Sequence, residues 1–303
     1  MQHPTDANLS TDVQPAPPRS VAGASLIDTG RYPLHTRGAP AYADLLRDCR
    51  RQIDADGCIL LPGFVRPETV ERMRHETEAL APSAHFNDTC TNPYNSADDP
   101  ALAADHPKRL FQDRSNGFVA GDRIADDTCI RNLYHDAGLQ SFLADVLGVE
   151  QIYEYADPLA GLVVNVLRPG CQHPWHFDTN EFVVSMMTKQ PAAGGAFEYC
   201  PGIRAPGSEN YDAVRDVVQG DRARVRVLDL KPGDLQIFFG RFALHRVTRP
   251  RGSGERHTLI LGYAREPGLI GRAERTRKLF GRLADVHRRQ RDAAPARGDT
   301  LSD

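Results

Sequence analysis

The stretch His173-Pro-Trp-His-Phe-Asp178 decides how the rest of the chain reads. It follows an apolar, strand-like run and holds a His-x-Asp pair, His176 and Asp178. Residues two apart on a β-strand face the same side, so both side chains can point into one interior. A third donor stands far along the chain, His245 in Phe242-Ala-Leu-His-Arg-Val247, 67 residues after Asp178. Two histidines and one carboxylate can occupy one face of a metal ion and leave three positions open. Arg256 stands eleven residues beyond His245, in Gly254-Glu-Arg-His-Thr-Leu259. A His-x-Asp pair recurs by chance, unlike the tighter His-Glu-x-x-His zinc pattern, so its reading rests on its surroundings.

Those surroundings are strands. Short β-branched or aromatic runs lie at 152–155, 162–167, 177–187, 196–199, 225–230, 235–239, 243–248 and 258–264. Turn residues separate them, as in Arg168-Pro-Gly170, Lys231-Pro-Gly-Asp234 and Arg251-Gly-Ser-Gly254. About eight strands at this spacing fit a jelly roll. Upstream, Tyr42, Leu45, Leu46, Cys49 and Ile53 recur at helical spacing, and Asp56-Gly57 ends that helix. A short apolar strand at 58–61 stops at Pro62-Gly63, and Pro67 opens a second helix with Val70, Met73, Thr77 and Leu80 inward. Residues 82–128 are rich in Asp, Asn, Pro and Gly and read as a functional loop or lid. Helices are expected at 132–147 and 210–220, and a basic one at about 269–291 whose charges form a solvated face. The fold expected is α+β with a mainly β core: a double-stranded β-helix over about 151–265 with flanking N- and C-terminal helices. It forms one domain over 25–303, after a disordered tail at 1–24.

Composition narrows the function classes. The 303 residues are 40% hydrophobic and 25% charged, with a net charge of −3. Neither nucleic acid nor an anionic membrane is expected as a main partner. No apolar run approaches the ~20 residues of a membrane-spanning helix. The first twenty residues lack the apolar core of a signal peptide, so a cytoplasmic location is expected. Six cysteines occur without a Cys-x-x-Cys pair, which reads as free thiols. The oligomeric state, a homodimer included, is left open.

Over residues 57–265 the chain resembles the Fe(II)/2-oxoglutarate-dependent dioxygenases. The likeness rests on Gly57-Cys-Ile-Leu-Leu-Pro-Gly-Phe64, Asn165-Val-Leu-Arg-Pro-Gly170, Trp175-His-Phe-Asp178, Lys231-Pro-Gly-Asp234, His245 and Gly254-Glu-Arg-His-Thr-Leu259. The first segment resembles the entry module of phytanoyl-CoA-hydroxylase-like members. Gly194 to Arg204, with Glu209-Asn-Tyr211, is closer to members that act on free amino acids, among them carrier-independent radical halogenases and related hydroxylases. The resemblance implies that His176, Asp178 and His245 bind Fe(II). It further implies that Arg256, Thr258 and Asn165 hold the cosubstrate 2-oxoglutarate, and that O₂ is consumed. A halogenase of this type keeps the carboxylate position vacant with Gly or Ala. Asp178 therefore points to hydroxylation.

Other residues have weaker claims. Asn180 continues the parity of 176 and 178 and is a candidate substrate contact. Glu154 and Asp157 are candidates to receive a cationic group, and Arg74 and Arg109 to clamp a carboxylate. His173 is expected at the rim and Trp175 in packing beneath the metal. The expected function is hydroxylation of an unactivated C–H bond in a free amino acid or similar small polar metabolite, with release of succinate and CO₂. The alternatives are a phytanoyl-type hydroxylase of a natural-product intermediate and a non-catalytic jelly-roll binding protein.

Overall fold

The computed structural model describes residues 26–289 and 299–302. The tail expected at 1–24 lies outside the described residues. Helix Pro40–Asp56 ends on Gly57, whose φ of 60° lets its N–H reach the Ile53 carbonyl at 2.8 Å. Strand Cys58–Leu61 follows, then helix Pro67–Leu80, with proline at the start where its missing N–H does no harm.

Two antiparallel sheets make the core. The larger runs in the order Cys58–Leu61, Leu235–Phe238, Val183–Lys189, Arg256–Leu261, Leu162–Leu167, Gly117–Val119, His85–Phe86. The smaller runs Arg226–Leu228, Phe197–Cys200, Leu244–Val247, His173–His176. Side chains alternate across the larger sheet. Val164, Val166, Met186, Ile237, Leu259 and Leu261 pack with Met73, Leu139 and Phe142 of the helices. Asn165, Ser185, Gln236 and Thr258 face the other way, into the cavity. Both faces are covered, which is why every residue of Leu162–Leu167 is buried.

Two motifs noted separately in the sequence dock on each other. Asp234, at the end of Lys231-Pro-Gly-Asp, accepts from its own turn at Lys231 N (2.9 Å) and from Gly63 N (2.8 Å). Phe64 N donates to Gly233 O at 2.9 Å. A side chain at Gly233 would come within 2.5 Å of Val70, so the close approach needs glycine. The entry module is thereby fixed to the strand that leads toward His245.

Several expectations need correction. The strand expected at 177–187 starts only at Val183. Phe177 N donates to Pro93 O (2.9 Å) and Asp178 N to Gly240 O (3.1 Å), so both peptides bond to loops and leave the ladder. The helix expected at 132–147 is two, Cys129–Tyr134 and Ala137–Leu147, because Asp136 leaves the helix and caps the second at Leu139 N (2.7 Å). The C-terminal helix expected at 269–291 is likewise divided into Ala273–Phe280 and Asp285–Arg289 by Gly281 at φ 70°. Residues 82–128 are more than loop. They add two strands to the larger sheet and form a hairpin, Thr89–Thr91 with Gln112–Arg114.

Candidate active site

Strand register assembles the site. His245 lies directly across from His176 in the smaller sheet, and Thr258 directly across from Asn165 in the larger. Such pairs bring side chains on one face within about 5 Å. The turn that carries Asp178 completes the first group. Donor atoms of His176, Asp178 and His245 all lie within 4.8 Å of one another. His176 Nε2 is 3.8 Å from Asp178 Oδ1, and His245 Nε2 is 3.4 Å from Asp178 Oδ2.

Each imidazole is oriented in the same way. Nδ1 of His176 donates to Pro174 O at 2.8 Å, and Nδ1 of His245 to Ala243 O at 2.9 Å. A carbonyl can only accept, so each Nδ1 carries the proton and each Nε2 turns a lone pair inward. Burial, then His245 beside it, pushes the His176 pKa well below the usual histidine value. A neutral imidazole is the form a metal binds.

Gly240 makes room for the carboxylate. A Cβ there would stand 1.9 Å from Asp178 Oδ2 and 2.7 Å from its Cγ. The absent methyl group and the Gly240 carbonyl that receives Asp178 N–H together seat this side chain. The donor set, the inward lone pairs and this cradle fit a divalent iron ion.

Arg256 forms the second group. It is 2% exposed and in contact with the Thr258 hydroxyl, to which it donates. Its Nε has no partner, and no carboxylate among the described residues pairs with it. Desolvation lowers its pKa to about 10. A buried guanidinium left this way is costly unless an anion arrives, and its fork suits one carboxylate of a dicarboxylic acid. Asn165, opposite Thr258, accepts from Asn116 Nδ2 at 3.2 Å.

The remaining candidates divide. His176, Asp178, His245, Arg256, Thr258, Asn165 and Asn180 line one cavity of about 260 Å³. Asn180 does so from a bend rather than from the strand continuation its parity implied. His173 also lines the cavity; its ring stacks on His176 at 3.8 Å. Trp175 is 1% exposed and packs under Arg246 (4.6 Å) on the far side of its strand. Four other substrate candidates do not line the cavity. Glu154 is taken by His135 (2.9 Å) and Gln140 (2.7 Å). Asp157 is buried and accepts from Leu159 N, Ala160 N, Gly271 N and His287 Nε2, which uses its carboxylate to hold backbone. Arg74 pairs with Glu71 and Glu78 on its own helix. Arg109 binds Asp98 and Leu102 O, away from the cavity.

The sequence reading missed Arg114, Arg275 and Phe118, which also line the cavity. Arg114 sits in a three-residue strand with no periodic signal, and Arg275 lies in the basic run taken for a solvated face.

Comparison with known proteins agrees with this fold. AviO1 from Streptomyces viridochromogenes Tue57 is 16% identical, with a TM-score of 0.51 over 74% of this chain and 96% of that one. SnoN, a non-haem α-ketoglutarate-dependent epimerase from nogalamycin biosynthesis, is 12% identical, with a TM-score of 0.50 over 73% and 83%. At such identities the likeness shows a shared fold. No curated protein sequence matches the chain. Fold and site define an enzyme of the non-haem Fe(II)/2-oxoglutarate oxygenase class. Within it the chain belongs to the Halogenase D family, whose model matches residues 42–278.

Proposed function

We propose that the protein is an Fe(II)/2-oxoglutarate-dependent hydroxylase of a small polar metabolite of the free amino-acid kind. The observation that carries this reading is Asp178, a carboxylate seated between two inward-facing histidines in the space Gly240 leaves. His176, Asp178 and His245 would hold the metal, and Arg256 with Thr258 and Asn165 the cosubstrate. Bound Fe(II) supplies the oxidation, in which O₂ and 2-oxoglutarate yield succinate and CO₂ while a substrate C–H becomes C–OH. The protein's share is placement. Arg256 anchors one end of the dicarboxylate at a fixed distance from the triad. The apolar wall of Phe118, Val163, Ile260 and Phe280 keeps water from the reacting carbon. A volume of about 260 Å³ lies below the ~300–1,000 Å³ usual for ligand pockets, which favours a small metabolite over a bulky scaffold.

A carboxylate at the third ligand position leaves no vacancy for a halide, so hydroxylation is preferred to halogenation despite the family's name. The deciding experiment is turnover with Fe(II), 2-oxoglutarate and an amino-acid panel in chloride buffer, read by product mass. A gain of one oxygen atom supports the reading, and a chlorinated main product overturns it.

Among the described residues no helix is long and apolar enough to cross a membrane.

A further inference from the structure

The turn that carries Asp178 has no strand to hold it. Phe177 N and Asp178 N bond to loops instead, at Pro93 O and Gly240 O. Two arginines stand behind this turn, each 2% exposed. Arg241 follows Gly240 in the chain, and its Nη1 donates to Thr179 O at 3.4 Å. The Arg204 guanidinium lies 3.8 Å from the centre of the Phe177 ring, and Arg204 Nε donates to Arg241 O at 2.6 Å. Phe177, Asp178 and Thr179 are thus seated in turn on Arg204, Gly240 and Arg241.

What secures the two arginines comes from far along the chain. Asp299 accepts from Arg241 Nη2 at 2.7 Å and also from its Nε. Ser302 O accepts from Arg204 Nη1 at 3.1 Å. Arg204 Nη1 donates to Glu209 Oε2 as well, at 3.0 Å, and the other oxygen of Glu209 accepts from Ser302 N. Gly207 N donates to Asp299 O at 3.0 Å, and the Leu301 side chain is buried. Thr300 is held at a φ of 57°, a left-handed conformation that a β-branched residue adopts only where its surroundings compel it. Residues 299–302 therefore close over both guanidinium groups as a clasp.

The geometry of the clasp matters for the ligand. A carboxylate that meets a guanidinium at two nitrogens fixes its plane as well as its position. With Asp299 on Nε and Nη2, the remaining Nη1 is aimed at the Thr179 carbonyl. Groups that orient a metal ligand from behind shift metal affinity although they never touch the ion.

We propose that Asp299 and Arg241 are positioning residues of the metal centre: the 299–302 clasp holds the 177–179 turn from behind and so sets where the Asp178 carboxylate meets the ion. The proposal rests on the hydroxylase reading above. It adds to that reading what fixes the one ligand of the three that no strand carries.

The test is anaerobic titration of the full chain with Fe(II) in saturating 2-oxoglutarate, read from the metal-to-ligand absorption. A second titration varies 2-oxoglutarate at saturating Fe(II). Asp299→Asn is expected to raise half-saturating Fe(II) about 10- to 100-fold and to move the absorption maximum, because the carboxylate ligand shifts. Half-saturating 2-oxoglutarate should hold within about twofold, because Arg256 lies on the other sheet. Asp299→Glu should regain part of the Fe(II) affinity. Once Arg241→Gln is in place, Asp299→Asn should cost little more, since both act through one contact. Leu301→Ala loosens the clasp and leaves every charge in place. It should raise half-saturating Fe(II) several-fold, and it decides the matter if Asp299→Asn does not fold. An Fe(II) titration unchanged in folded Asp299→Asn, or in Leu301→Ala, would overturn the proposal. Equal weakening of Fe(II) and 2-oxoglutarate would also overturn it, as the mark of general loosening. A parent chain that takes up no Fe(II) would instead sink the hydroxylase reading beneath it.

Discussion

The cavity wall has two halves built by different means. One half is sheet: His176 opposite His245, Asn165 opposite Thr258, and Arg256 at the end of the same strand. Strands on both sides flank His245, Asn165 and Thr258, and His176 is held by a strand on one side, at the edge of the smaller sheet. The other half comes from a hairpin and a C-terminal helix, which bring Arg114, Arg275 and Phe280. These elements are held by side-chain contacts and caps. Under the proposed function, reaction chemistry falls to the sheet half and substrate choice to the half that can vary without unravelling the sheets.

The strongest test of the sheet half is Arg256→Gln. It removes the buried cation proposed to hold the cosubstrate, and losing half of such a pair costs ~2–5 kcal/mol. KM for 2-oxoglutarate should rise by about two orders of magnitude. The variant without ligand should melt no lower than the parent, because the guanidinium it loses has an unpartnered Nε. Added 2-oxoglutarate should stabilise the parent and leave the variant unchanged in a thermal melt. A parent that gains nothing from the ligand would break the assignment.

Gly240→Ala comes next. Its φ is not in the left-handed region, so the backbone tolerates alanine. The new methyl group would displace the Asp178 carboxylate. Fe(II) affinity should fall about 10- to 100-fold, the range found when a group supporting a metal ligand is altered. The same change made on top of Asp178→Gly should cost little more, since the clash has gone. An anaerobic metal titration of the four proteins measures both.

The same contrast explains what the sequence could reveal. His176 and His245 were legible because strand runs and turns fixed their neighbourhood, and Arg256 because Gly252-Ser-Gly254 marks the start of its strand. Asp178 was legible as a residue, yet its place was not. The i,i+2 argument put it on a strand, while the chain leaves the ladder after His176 to bond with Pro93 and Gly240. Gly240 itself gave no signal, because an absent Cβ matters only once Asp178 is seen beside it. Arg114 and Arg275 were hidden for a different reason. One lies in a three-residue strand and the other among several arginines, where periodicity carries no information about which side chain meets a cavity formed by distant elements.

The variable half is tested at its fastening. Asp157 receives four N–H donors, among them Gly271 N (3.0 Å) and His287 Nε2 (2.9 Å). Ala284 N donates to His287 Nδ1 at 3.3 Å, which leaves Nε2 as the protonated nitrogen facing the carboxylate. Asp157→Ala leaves those donors unmet, two at 159–160 and two in the 269–289 segment, at ~1–3 kcal/mol each. KM for the substrate should rise several-fold while KM for 2-oxoglutarate holds. Faster amide exchange at 159–160 and over 271–289, with the two sheets unchanged, is the accompanying signature. A parallel rise in both constants would show that the two halves are not separable.

The smallest effect concerns the reverse face of the Arg256 strand. Arg256 and Thr258 point into the cavity, whereas His257, between them, is fully buried on the other side. Its ring lies 3.2 Å from Thr77 Oγ1 and 3.0 Å from Glu255 Oε2, with Lys189 and Glu78 also facing it. Desolvation is the main influence and lowers its pKa below the ordinary 6.5, against the opposing pull of Glu255. Between that lowered value and 6.5 the unfolded chain binds the proton that the folded chain refuses. Stability should therefore be complete above about pH 6.5 and decline as the pH falls below it, with a slope from this residue of at most ~1.4 kcal/mol per pH unit. His257→Gln should flatten the acid limb of a urea-midpoint profile and leave 2-oxoglutarate affinity at pH 7.5 unchanged. If cosubstrate binding moved with it, the two faces of the strand would be coupled, and the division between a ligand-binding face and a purely structural one would fail.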